Sequence, residues 1–179
     1  MPKNGMKTKK ALFLDRDGVI CEALPRSQYL TRWEEFKLMP GIGELIDDAK
    51  IKGYLAIVIT NQPQISRGMV SEKEIISING RMNELLDGKL DAVYHCPHRN
   101  EDNCDCRKPK PGMLLNAGKD FEIDFSESFF LGDADKDIKA GQAAGCRTIF
   151  LNNEHNKEEL KNCAPDFVID SLEEVSKII

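Results

Sequence analysis

The sequence predicts an α/β fold, a mainly parallel sheet with helices on both faces, and three observations predict it. Short apolar runs recur at 11–14, 54–60, 92–95, 128–132, 147–151 and 167–169. Segments with helical apolar spacing lie between most of them, and this alternation is the mark of βαβ units rather than hairpins. The leading run, Ala11-Leu12-Phe13-Leu14, has no polar member, as expected of a strand covered on both faces.

The elements follow in order. Residues 1–10 hold four lysines and no apolar core, and read as a flexible tail rather than a signal peptide. A single domain is expected over 11–179. Gly18 to Met39 reads as an irregular loop containing Pro25, Tyr29 and Trp33. Pro40-Gly41 opens a helix with Ile42, Leu45, Ile46 and Ala49 on one face, and Gly53 suits its end. Tyr54 to Thr60 is apolar and β-branched, a second buried strand. Ser71-Glu72-Lys73-Glu74 has capping-box spacing, with Ile75, Ile78, Met82 and Leu85 continuing as a helical stripe. Gly80 weakens that helix without forbidding it. Ala92 to His95 forms a short third strand. Pro111-Gly112 opens a helix through about Gly118. Ser128 to Gly132 is a strand, Asp137 to Ala144 a helix closed by Gly145, and Arg147 to Leu151 and Phe167 to Ile169 are strands. Ser171 and Glu174 have the spacing to cap the last helix. In such sheets the functional crevice lies beyond the carboxyl ends of the strands.

Composition narrows the function. At 179 residues, one domain with a sizeable core is expected. A net charge of −5 opposes non-specific nucleic-acid binding. No run approaches the roughly 18 apolar residues of a membrane span. Six cysteines without a secretory signal suggest reduced thiols or metal ligands and a cytoplasmic protein. A monomer is the default.

The chemistry starts at Asp15-Arg16-Asp17-Gly18. Residues two apart on a strand share a face, so Asp15 and Asp17 are expected to project together and Arg16 away. Two carboxylates at the end of a buried strand call for a cation, and hard oxygen donors suit magnesium. An aspartate can also attack phosphorus and split one hard hydrolysis into two easier steps.

Three later stretches complete a pattern: Ile59-Thr60-Asn61, Arg107-Lys108-Pro109, and Leu131-Gly132-Asp133 with Asp137 four residues on. In this order they resemble the haloacid dehalogenase (HAD) superfamily of aspartyl-phosphate phosphatases, over nearly the whole chain. The cysteine cluster between the second and third motifs resembles the zinc-containing group that holds heptose-bisphosphate and histidinol-phosphate phosphatases. The resemblance implies a Rossmann-like HAD fold. The gaps after the first and second strands are too short for a large cap domain, so specificity is expected to rest on loops. It further implies that Asp15 is the nucleophile and that Asp17 protonates the leaving alcohol and then activates water. Magnesium would take the Asp15 and Asp133 carboxylates and the Asp17 carbonyl. Thr60 and the Asn61 N–H would hold phosphoryl oxygens. Lys108 would supply fixed positive charge, and Asp137 would orient Lys108 or a metal-bound water.

Asp133-Ala134-Asp135-Lys136-Asp137 also matches the opening of an EF-hand calcium loop. The sixth position is Ile138 instead of glycine and the twelfth is Ala144 instead of glutamate, so that reading fails twice. Cys96, His98, Cys104 and Cys106, within a loop at 96–106, offer three thiolates and one imidazole, the donor set of a closed structural zinc site. That zinc would brace the loop delivering Arg107 and Lys108. His95 reads as packing or hydrogen bonding, and Cys21, Cys146 and Cys163 have no assigned chemistry.

The substrate expected is a small phosphorylated metabolite, and two pieces of sequence disagree on which. The five residues between His98 and Cys104 resemble histidinol-phosphate phosphatases. Thr60-Asn61-Gln62 followed by Ile65-Ser66-Arg67-Gly68 resembles heptose-bisphosphate enzymes, departing at Pro63-Gln64. A sugar bisphosphate carries a second dianion and needs extra cations. Arg67 and Arg107 are expected to reach the crevice and hold it, with Gln62 beside the substrate. The expectation is therefore a heptose 1,7-bisphosphate cleaved at the 7-phosphate, with histidinol phosphate as the alternative. A phospho-ligand module without turnover is disfavoured by the complete Asp15, Asp17, Lys108 and Asp133 set.

Overall fold

The structure, a computed structural model, describes residues 8–25 and 28–179. Its centre is β1 (Lys10–Leu14), whose residues Ala11 to Leu14 have no exposed surface. Successive side chains of a strand point to opposite faces. Leu12 and Leu14 accordingly join one core cluster, and Ala11 and Phe13 join the other. This is why the run is apolar without a break.

Five more strands extend the sheet: β2 (Tyr54–Asn61), β3 (Ala92–Cys96), β4 (Phe129–Gly132), β5 (Arg147–Leu151) and β6 (Phe167–Ile169). They are all parallel in the order β3-β2-β1-β4-β5-β6. The chain winds outward from β1 to β3 and then returns to β4 on the other side of β1. That reversal is a topological switch point, where neighbouring crossovers leave a crevice beyond the strand ends. Asp15 follows β1 and Asp133 follows β4, so they flank it. The Asp15 N–H donates to the Leu131 carbonyl at 3.0 Å, which holds the two strand ends together.

One face is covered by α1 (Ile42–Ile51), α2 (Glu72–Leu85) and a closing 3-10 helix (Leu172–Lys177). The other carries α3 (Gly112–Phe121) and α4 (Asp135–Ala144). Helix α1 buries Ile42, Leu45, Ile46 and Ala49, the stripe expected. The capping box of α2 is present: the Glu74 N–H donates to Ser71 Oγ at 3.2 Å and the Ser71 N–H to Glu74 Oε2 at 2.9 Å. The segment between β1 and β2 contains a 3-10 turn (Trp33–Glu35) and α1, the segment between β2 and β3 contains α2, and no cap domain stands among the described residues.

Several expectations need correction. Most of the tail at 1–10 lies outside the described residues, but Lys10 already belongs to β1 and Lys9 bridges to Ile123. Leu85 is exposed; Asn79 and Leu86 are buried with Ile75, Ile78 and Met82. Helix α4 starts at Asp135, two residues early, and α3 runs on to Phe121. The last helix is a 3-10 turn, and Glu174 caps it by accepting from the Asp170 and Ser171 N–H groups. A short α5 (Lys157–Leu160) has no apolar periodicity to announce it.

Candidate active site

At the switch point Lys108 is fully buried, and its ammonium meets three acceptors. Nζ donates to Asp15 Oδ1 at 2.7 Å and to the Ile59 carbonyl at 2.7 Å, and it lies 2.7 Å from Asp137 Oδ1 in an ion pair. Two of its protons go to hydrogen bonds, and the Asp137 carboxylate opposes the charge as an ion partner on the third side. Burial works against this charge, but the Asp137 and Asp15 carboxylates hold its pKa above the usual lysine range. Asp15 is also nearly buried. Burial and then the charge of Asp137 push its pKa up to about 6, with Lys108 pulling against them. Burial, with the charges of Asp15 and Asp137, raises Asp133 as well.

Carboxylate oxygens of Asp15, Asp133 and Asp137 converge within 4.8 Å of one another. Three carboxylates against one lysine leave an excess of negative charge in a desolvated place, and a hard divalent cation fits it. Two glycines make the convergence possible. A Cβ on Gly18, at φ +97°, would fall 2.1 Å from Asp133 Oδ2, and one on Gly132 would fall 2.2 Å from Asp137 Cβ.

Asp17 differs from its neighbours. Burial would raise its pKa, but the Arg16 charge and hydrogen bonds from Gln62, Arg16 and Cys21 hold it below the usual carboxylate value. The expectation that Arg16 points away is overturned. The strand ends at Leu14, and Arg16 starts a tight turn in which its carbonyl accepts from the Ile20 and Cys21 N–H groups. Strand alternation no longer applies there, and the Arg16 side chain folds back onto Asp17.

Other candidates also acquire definite roles. The Thr60 hydroxyl accepts from Gln62 Nε2 at 2.8 Å, which leaves its own proton to donate. The Asn61 side chain clasps the Lys108 backbone: Nδ2 donates to the Lys108 carbonyl and the Lys108 N–H donates to Oδ1, both at 3.1 Å. Gln62 has no exposed surface, and its amide serves Arg16, Asp17, Thr60 and Gln64. It therefore lies behind the site instead of beside the substrate. Arg67 is exposed, with its guanidinium 5.0 Å from the Tyr29 ring centroid. Arg107 donates to Asn100 Oδ1 at 2.6 Å and to the His98 carbonyl at 3.0 Å. An open cavity of about 700 Å³ adjoins Asp17 and Asp133 and is lined further out by Leu24, Lys136, Asn153 and His155. Neither Arg67 nor Arg107 lines it.

The four expected zinc ligands come together. Their sulfurs are 3.2, 3.4 and 3.6 Å apart, and His98 Nδ1 is 3.3 Å from Cys106 and 3.6 Å from Cys96. Ligands at about 2.3 Å from a tetrahedral zinc stand roughly 3.5–3.8 Å apart, so the cluster has nearly the right size. His95 is a hydrogen-bond partner of Glu72 at 2.9 Å, outside the cluster.

Four side chains at the site carry no mark in the sequence. They are Arg16, the side-chain amide of Asn61, Asn79 on α2, and Asn156, which donates to the Asp133 and Leu151 carbonyls. Each works through a partner remote in the chain or, for Arg16, through a turn that strand periodicity does not foresee.

Comparison with known proteins agrees with this geometry. Residues 105–175 match the Hydrolase_like family, described as HAD-hyrolase-like. The chain is 42% identical over 156 residues to the D-glycero-alpha-D-manno-heptose-1,7-bisphosphate 7-phosphatase of Campylobacter jejuni, covering 86% of this chain and 87% of that one. It is 41% identical over 150 residues to the D-glycero-beta-D-manno-heptose-1,7-bisphosphate 7-phosphatase of Helicobacter pylori, covering 82% and 85%. The crystal structure of the D,D-heptose 1,7-bisphosphate phosphatase from B. bronchiseptica, complexed with magnesium and phosphate, superposes with a TM-score of 0.85 at 26% identity, covering 94% of this chain and 97% of that one.

Proposed function

From membership in the HAD-type phosphatases, and within them in the heptose-1,7-bisphosphate 7-phosphatase family, to which this chain belongs, we propose that it removes the 7-phosphate of D-glycero-D-manno-heptose 1,7-bisphosphate through an aspartyl phosphate on Asp15. The observation that carries this reading is the buried Lys108 ammonium shared by Asp15 and Asp137 beside Asp133. Asp15 Oδ attacks phosphorus while Asp17, which must first take up a proton against the Arg16 charge that holds its pKa low, gives that proton to the departing sugar oxygen. Asp17 then takes a proton from the water that breaks the Asp15 phosphate, because the first step leaves it deprotonated. Thr60 Oγ and the Asn61 N–H hold phosphoryl oxygens, and Lys108 opposes their growing charge. The donor set fits magnesium, which Asp15, Asp133 and the Asp17 carbonyl would hold, and which when bound would neutralise repulsion between nucleophile and substrate. The Cys96, His98, Cys104 and Cys106 set fits zinc in a closed, structural role.

Arg107 is the cation proposed for the second phosphate. Its Nε and Nη1 are tethered within the 96–106 loop, so a preorganised guanidinium is already fixed one residue from Lys108. Arg67, resting over Tyr29, is a second candidate. The test is a substrate panel with both anomers of the bisphosphate, a heptose 7-phosphate and histidinol phosphate. The highest kcat/KM is expected for a bisphosphate. Arg107→Met should raise KM for the bisphosphate about tenfold or more, as for loss of a charged hydrogen bond, with little change for the monophosphate. A preference for histidinol phosphate overturns the substrate. Equal effects on both sugars, or a selective effect from Lys136→Met alone, overturns the role of Arg107.

A further inference from the structure

We propose that Arg16 and Asn79 form a strut that positions the Asp17 carboxylate for proton transfer, making helix α2 part of the catalytic apparatus; the proposal rests on the phosphatase reading above. Arg16 has no exposed surface. A guanidinium cannot shed its charge, so burying it is tolerable only when its donors are matched. Nε donates to Asp17 Oδ1 at 3.2 Å, and Nη2 lies 3.1 Å from both Asp17 oxygens. Nη2 also donates to Gln62 Oε1 at 2.7 Å, and Nη1 to Asn79 Oδ1 at 3.1 Å. The edge of the fork that faces the crevice is spent on Asp17, and the opposite end is anchored on α2.

Asn79 is the unexpected member. It lies in the buried stripe of α2 with Ile75, Ile78 and Met82, where an apolar residue would pack without a polar cost. Its carbonyl oxygen serves Arg16. Asp17 itself is gripped from behind, by Arg16, by Gln62 Nε2 at 2.9 Å and by the Cys21 thiol at 3.5 Å. Its side chain nevertheless keeps 37% of its surface exposed and lines the cavity. A carboxylate clamped on its inner side and open on the other is oriented in advance for a leaving oxygen and for the attacking water. Arg16 and Asn79 touch neither, so they are positioning residues.

Leaving-group chemistry separates positioning from mere structural support. An alkyl phosphate needs a proton from Asp17 as its P–O bond breaks, but p-nitrophenolate departs without one. Breakdown of the Asp15 phosphate needs Asp17 as base whichever ester formed it. Arg16→Met and Asn79→Ala should therefore release p-nitrophenolate in a burst approaching one equivalent per site, followed by slow turnover. On a sugar phosphate the same variants should lose turnover with no burst of dephosphorylated sugar. Losses of about 100-fold for Arg16→Met and about tenfold for Asn79→Ala are expected, the first being typical of impaired acid–base catalysis. Should Arg16→Met fail to fold, as judged by circular dichroism, Asn79→Ala decides alone. Parent-like turnover of the sugar phosphate in Asn79→Ala overturns the strut. So does an equal loss of first-step rate on both esters, which marks a structural role only. A parent protein that hydrolyses neither ester overturns the phosphatase reading and the strut with it.

Discussion

Asp15→Asn is expected to abolish turnover, by on the order of 10⁴-fold or more, while the fold survives. The size follows from removing the atom that forms the covalent intermediate, a class of change that has cost about 10⁶ in other hydrolases. Survival of the fold follows from the electrostatics. The Asp15 pKa is pushed up to about 6 in the folded protein, mainly by burial and by Asp137. A carboxylate whose folded pKa is raised destabilises the fold as pH rises from the unfolded value through the folded one. At neutral pH in the metal-free protein, the neutral amide therefore relieves a strain, and Lys108 keeps Asp137 and the Ile59 carbonyl. Calorimetry without added magnesium should show a melting temperature no lower than the parent's, and a phosphate-release assay should show no turnover. Near-parental turnover with an intact fold would falsify the nucleophile.

Much of this site was legible because its principal parts sit at strand ends. Ala11 to Leu14 announces a strand covered on both faces, and the carboxylates after it mark the crevice. The Cys96, His98, Cys104 and Cys106 cluster is legible because its four side chains lie within eleven residues and need no knowledge of the fold. What stayed hidden depends on side chains reaching across the sheet. The motif foretells a backbone contact for Asn61, but its amide clasps the Lys108 backbone, 47 residues away. Gln62 reads as a substrate contact because it follows Thr60-Asn61, yet β2 ends there and the residue turns into the core. Strand periodicity carried two residues beyond Leu14, the last strand residue, puts Arg16 on the wrong side. Leu85 shows the same limit on α2, where the last turn presents Leu86 to the core and leaves Leu85 in solvent.

The proposed zinc loop gives the second large effect. Cys104→Ser is expected to remove the bound zinc, lower stability and lower activity together. Loop and Lys108 are joined by short paths. Arg107 is tied to Asn100 and the His98 carbonyl, and Lys108 follows it directly. The loop also grips the segment after β2, since the Gln62 N–H donates to the Cys96 carbonyl at 2.7 Å and Ser66 Oγ to the Pro97 carbonyl at 2.6 Å. With one thiolate lost, the metal no longer fixes these anchors against each other. Zinc contributes roughly 10–16 kcal/mol to folding small finger peptides. Even about 3 kcal/mol of that, lost from a domain of this size at about 2–4 °C per kcal/mol, lowers the melting temperature by roughly 6–12 °C. Activity should fall through kcat, because the displaced group is the Lys108 ammonium, while Cys163→Ser, outside the cluster, keeps its zinc. The measurements are metal content by elemental analysis of protein purified without chelator, thermal melting and steady-state kinetics on the same samples. One zinc per parent chain and almost none in Cys104→Ser is the expected result. A zinc-free parent, or a fully active Cys104→Ser protein, would show that the loop holds Lys108 in place without metal.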